Sequence, residues 1–164
     1  FSTRFFIFFA VLFFAACVGF WQLGKTDLAK AYVVPTLVAG ALLLTIGLGL
    51  FFTNKSRVVA FETAYNADAP AFIASELERA ESTLKEYKTV FTVIPIIIIV
   101  AALVLLFINT PNWRAISITT IAMMIVILLV DGTAHARIEA YYQKLHAIEA
   151  EKDAQSISQH VMTK

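Results

Sequence analysis

The sequence predicts an all-α membrane protein with four transmembrane helices, whose extensions form a cytoplasmic helical stalk. Three observations predict it. The 164-residue chain contains four apolar runs, at residues 5–23, 31–52, 90–108 and 115–130. Each is near the length that crosses a hydrocarbon core of about 30 Å at about 1.5 Å per helical residue. Charged residues make up 15% of the chain, well below the roughly 25% of an average soluble domain. The segments outside the runs carry an apolar repeat of their own.

The first run opens after Arg4 and passes through Phe14-Ala15-Ala16-Cys17, which resembles a lipoprotein cleavage box. Phe14 stands where such a box prefers Leu, and Val18, Gly19, Phe20 and Trp21 continue the apolar run instead of a polar tether. The expectation is an uncleaved membrane helix. Its phenylalanines (Phe5, Phe6, Phe8, Phe9, Phe13, Phe14 and Phe20) fall almost all round the helix. That distribution suits a peripheral, lipid-exposed or subunit-facing helix and supplies no polar ligand for a cofactor. Gly24 suits the helix end, and Thr26 or Asp27 can cap the second membrane helix.

The second run carries small residues at helix-contact spacing. Thr36/Gly40 and Thr45/Gly49/Thr53 fit a small-xxx-small pattern, and Gly40 and Gly47 are a heptad apart. Thr36, Gly40, Gly47 and Gly49 are therefore the expected helix-packing positions. The helix extends past the membrane to Asn66-Ala67-Asp68-Ala69-Pro70, where Asp68 is an N-cap for the next helix and Pro70 fits its first turn.

The third and fourth runs continue into the segments that flank them, about 54–89 and 131–155. Ile73, Leu77, Ala80, Leu84 and Tyr87 recur in steps of four and three, and the series runs on through the membrane. Pro95 is a place for a kink. Ile138, Tyr141, Leu145 and Ile148 repeat the pattern beyond the fourth run. Asn109-Thr110-Pro111-Asn112 is a tight turn, so the two helices are antiparallel neighbours. Their stripes bury each other in a coiled-coil-like stalk. Residues 154–164 lack periodicity and are expected to fray. The whole chain, 1–164, is one tetraspan domain.

Orientation follows from the basic residues. Arg4, Lys55, Arg57, Arg79, Lys85, Lys88, Arg137, Lys144, Lys152 and Lys164 share one side, against Lys25, Lys30 and Arg114 on the other. Both termini are then cytoplasmic, in a bacterial inner membrane. Trp21 and Trp113 fall at the opposite interface.

Two motif matches carry little. Gly19–Thr26 fits the phosphate-loop pattern letter for letter. That chemistry needs a strand, a flexible loop and a helix, whereas this stretch ends a membrane helix facing away from the cytoplasm. Asn54-Lys55-Ser56 fits a glycosylation sequon on the cytoplasmic side. A net charge of +1 with no basic stripe excludes nucleic acid. The single cysteine, Cys17, excludes an internal disulfide.

One polar cluster stands out. Asp131, His135 and Glu139 occupy one helical face at i, i+4 and i+8, and Asp131 falls on the apolar seam. A charged side chain at mid-bilayer costs about 2.5–3.5 kcal/mol, and less at the edge, so Asp131 should seek a partner among Tyr87, Lys88, Lys55 and Arg57. It is read as an interfacial pair that sets depth and register. The functional alternatives are a proton- or ion-linked site in a small homo-oligomeric channel or transporter, and a small membrane enzyme using Asp131, His135 and Glu62, with Glu62 as a further metal ligand. The leading expectation is a non-catalytic accessory or scaffold subunit of a membrane complex or homo-oligomer. It has no cofactor, metal or nucleotide, and its partners are the lipid bilayer and other membrane subunits or itself.

Overall fold

A computed structural model describes residues 2–162, and the side chains of these except for residues 57–60, 62–64 and 152–162. The described chain is all-helical, without strands. The helices are α1 (Ser2–Leu23), α2 (Asp27–Ala31), α3 (Val33–Ala67), α4 (Ala69–Phe107) and α5 (Pro111–Met162). Four stretches, in α1, α2–α3, α4 and α5, are long and apolar enough to cross a membrane. They form a helical bundle of two hairpins, α1 with α3 and α4 with α5, joined through lesser contacts of α5 with α1, α2 and α3.

Local signals set the boundaries. Thr26 caps α2, its hydroxyl accepting from the Ala29 N–H at 3.2 Å. The second membrane helix, expected to run on unbroken from a cap at Thr26 or Asp27, is instead broken at Tyr32, where the Tyr32 N–H turns back to the Ala29 carbonyl. Pro35 explains the break, because it has no N–H to offer the carbonyl of Ala31 one turn earlier. Asp68 caps α4, accepting from the Ala71 N–H at 3.0 Å, with proline in the first turn. α4 continues through Pro95 without interruption. α5 runs to Met162 rather than fraying from residue 154. The chain from Thr133 onward contains neither glycine nor proline to stop it.

The core lies where α1, α3 and α5 meet. Phe6, Ala10, Leu43, Val126 and Val130 are buried together, and Phe9, Phe13, Phe14, Leu44, Met123 and Ile127 pack against them. The first helix, expected to be peripheral, gives one face to this core, although only 17% of its apolar stretch is buried. Thr3, Phe6, Ala10 and Cys17 form its buried face, a heptad-like face hidden in a sequence whose phenylalanines point everywhere. Phe5, Phe8, Val11 and Val18 remain exposed on the other side. The outlying membrane helix is α4. Its most apolar stretch is 11% buried, against 28% in α5.

Close approach of α1 and α3 depends on two glycines. A Cβ on Gly40 would stand 3.1 Å from the Phe14 ring and 3.3 Å from the Ala10 carbonyl oxygen. On Gly47 it would stand 3.1 Å from both Phe6 Cβ and Ile7 Cγ1. Thr36 is buried on the same face and returns its hydroxyl to the Tyr32 carbonyl at 2.6 Å. Gly49 differs. It is exposed, with no neighbour within 4 Å of an added Cβ, because position 49 lies half a turn away from the 36/40/43/47 stripe.

Outside the apolar runs α4 and α5 stay together. Ile73, Ala80 and Leu145 are buried, and Leu77, Leu84, Tyr87, Ile138 and Tyr141 are partly buried. Ile148 is 44% exposed. Phe72 packs edge-on against Phe61 and Tyr65 of α3, with ring centres 4.6 and 5.8 Å away.

The two glycine environments give a direct test. Gly47→Leu should destabilise the protein by about 1–3 kcal/mol, the usual penalty for overfilling a packed contact. Gly49→Leu should be close to neutral. Reversible unfolding in mixed detergent micelles, followed by circular dichroism, measures both. Equal effects would show that α1 and α3 do not approach through Gly47.

Candidate functional site

The polar side chains of the α4/α5 hairpin fall into two groups. The first lies at the end of the fourth apolar run. The 3.6-residue period puts Asp131, His135 and Glu139 on one face of α5. The imidazole of His135 meets two rings of α4 edge-on, with centres 5.6 Å from Tyr87 and 5.5 Å from Phe91 at angles near perpendicular. Such edge-to-face contacts contribute about 0.5–1.5 kcal/mol beyond area burial. His135 Nδ1 lies 3.9 Å from Glu139 Oε2, an ion pair only when the imidazole is protonated. Asp131 is partly buried, near enough for its charge to act on Tyr87. Burial pushes the Tyr87 phenol up, and the charges of Asp131 and then Glu86 push it further.

The structure therefore brings His135 against Tyr87 of α4, with the charge of Asp131 acting on the same phenol. Lys88 and Lys55 are exposed. The side chains of Glu62 and Arg57 lie outside the described residues, so the place of Glu62 in a shared site does too. Among the described residues no three of His, Cys, Asp and Glu come together as metal ligands.

The second group was not singled out by sequence. Glu76 is 8% exposed, although it is charged and lies beside the seam residue Leu77. Arg79, one turn on, grips it with two nitrogens. Nη2 donates to Oε2 at 2.7 Å and Nε to Oε1 at 3.1 Å. The Tyr141 hydroxyl of α5 donates to Oε2 at 3.2 Å. Forked Arg–carboxylate bonds are strong and directional, and they offset the desolvation of a buried carboxylate. The signal was available. Glu76 lies three residues after Ile73 and four before Ala80, so it shares their face, and Arg79 follows at i+3.

The remaining titratable contacts are superficial. Lys85 donates to Glu81 at 2.9 Å on the open face, and its hydrogen bond and charge hold the Glu81 carboxyl below the usual carboxylate range. Tyr142 and His146 pair within one turn at 3.1 Å on an exposed surface. The stretch that matches the phosphate-loop pattern is helical through Leu23, and the Thr26 hydroxyl is engaged in capping α2. No family model, curated protein or solved structure matches the chain.

The Glu76 contact predicts a measurable coupling. Tyr141→Phe should cost about 1 kcal/mol, the net value of one hydrogen bond. Glu76→Ala should cost more, because it also releases Arg79. In a double-mutant cycle in mixed micelles, the Tyr141→Phe effect should shrink in the Glu76→Ala background. Full additivity would mean that the two side chains contribute independently.

Proposed function

We propose that this chain is a non-catalytic accessory or scaffold subunit of a bacterial inner-membrane assembly, built with itself or with other membrane subunits. It presents the α4/α5 hairpin as a cytoplasmic stalk. The observation that carries this reading is the use made of the buried Glu76 carboxylate. It ties α4 to α5 about 21 Å along the helix from the third apolar run, at about 1.5 Å per residue. A buried charge in that position favours one register of two helices over its slipped alternatives. His135 packs against two rings of α4, which also suits pinning of depth and register. The basic residues, ten against three, favour a cytoplasmic location for the hairpin.

The reading is tested by measuring assembly and transport together. Asp131→Asn keeps hydrogen-bonding capacity without the charge. It should leave the size of the complex extracted from native membranes in mild detergent unchanged. Purified wild-type protein in proteoliposomes should give no proton or cation flux above empty vesicles. Intact assembly with wild-type flux that Asp131→Asn abolishes would overturn the scaffold reading in favour of a channel or transporter. A reporter fused after Lys164 should be active only as a cytoplasmic reporter.

A further inference from the structure

On the side of the α4–α5 turn, a groove of about 570 Å³ opens between α3 and α5. It falls within the roughly 300–1,000 Å³ of ordinary small-ligand sites. Lys30 and Asn112, at the helix ends, form its mouth, and Val38, Ile116 and Met123 line it further in. From Asn112 to Met123 is about 16 Å at about 1.5 Å per helical residue. That distance is one leaflet, half of a hydrocarbon core of about 30 Å. Trp113, 49% exposed next to Asn112, stands where an amphipathic ring marks the headgroup level.

Charge and lining narrow the occupant. Three cations stand at this end of the bundle. Arg114 donates to the Asn109 side chain at 2.8 Å, and Lys25 lies away from the groove, whereas Lys30 lines it. The ion pairs at Glu76, Glu81 and Glu139 lie away from this end of the bundle. Below Lys30 and Asn112 the walls are mostly apolar, with Val34, Val38, Ile116 and Met123 among them, the lining that an acyl chain needs beneath a phosphate.

We propose that this groove binds an anionic phospholipid of the adjacent leaflet, with an acyl chain between α3 and α5 and the phosphate at Lys30 and Asn112. The lipid then serves as a wedge that fills the space between the two hairpins. Native mass spectrometry tests the site on the full chain in a neutral detergent. The protein is titrated with phosphatidylglycerol and with phosphatidylcholine of identical chains. Wild type should favour phosphatidylglycerol about fivefold, the factor expected of one lysine near a lipid phosphate. Lys30→Gln should abolish that preference, and Lys25→Gln should keep it. Ile116→Trp fills the groove from an exposed wall and should lower occupancy by both lipids while helix content stays unchanged. If that variant does not fold, Val38→Trp on the opposite, exposed wall provides the same comparison. A preference that survives Lys30→Gln, or full occupancy in the tryptophan variant, would overturn the site.

Discussion

The membrane half of this protein depends on how closely α1 and α3 approach at Gly40 and Gly47. Hydrocarbon solvates a leucine as well as another leucine does, so helices there gain little from hiding apolar surface. Association instead requires dense van der Waals contact, and that contact needs backbones near each other. Ala10 and Phe14 against Gly40, and Phe6 and Ile7 against Gly47, supply it. The same stripe carries Thr36 and Leu43, and from it the core spreads to Val126 and Val130 of α5. The exposed phenylalanines and leucines of α1 and α3 need no explanation in such a solvent. They meet lipid.

Outside the apolar runs the solvent changes, and so does the device. Along residues 73–87 and 138–145 apolar burial again drives association, but a repeating seam of leucine, isoleucine and alanine allows slippage by a heptad. Polar side chains discriminate between registers where apolar ones do not. Glu76 has its forked partner on its own helix and its hydroxyl partner on the other. His135 fits between two rings of α4. The Tyr141–Glu76 hydrogen bond and the ring contacts of His135 are lost on a one-turn slip, whereas most of the apolar contacts would be replaced by similar ones.

What was legible in the sequence follows the same division. The four spans could be read because apolar length is a property of composition alone. The Asp68 cap followed by Pro70 could be read because both residues act on their own backbone. The small-residue pattern gave positions but not their use. Gly40 and Gly47 face α1 while Gly49 faces away, and only a known partner direction separates them. Phenylalanines all round α1 hid its buried face, because hydrophobicity carries no direction when every side is apolar. The break at Tyr32 required following one missing N–H, that of Pro35, back to the carbonyl of Ala31. Glu76 escaped notice because a search for the apolar seam passes over charges. Its burial depends on a tyrosine 65 residues away in sequence.

The α4/α5 pair is thus held at both extremes by different means. At one end three residues separate the helices, and Arg114 fastens the turn to Asn109. At the other, Glu76 and Tyr141 meet some 46 Å along α4 from Phe107, at about 1.5 Å per residue. Sliding one helix against the other must break the hydrogen bond from Tyr141 to the Glu76 carboxylate at the far end while the covalent turn resists at the near end. The two helices therefore form a closely joined unit. The contacts that join this unit to α1 and α3 are fewer, and α5 makes most of them. The boundary between the hairpins is accordingly the more loosely packed one. The groove by Lys30 lies along that boundary, so whatever fills it bears on how the two hairpins sit together.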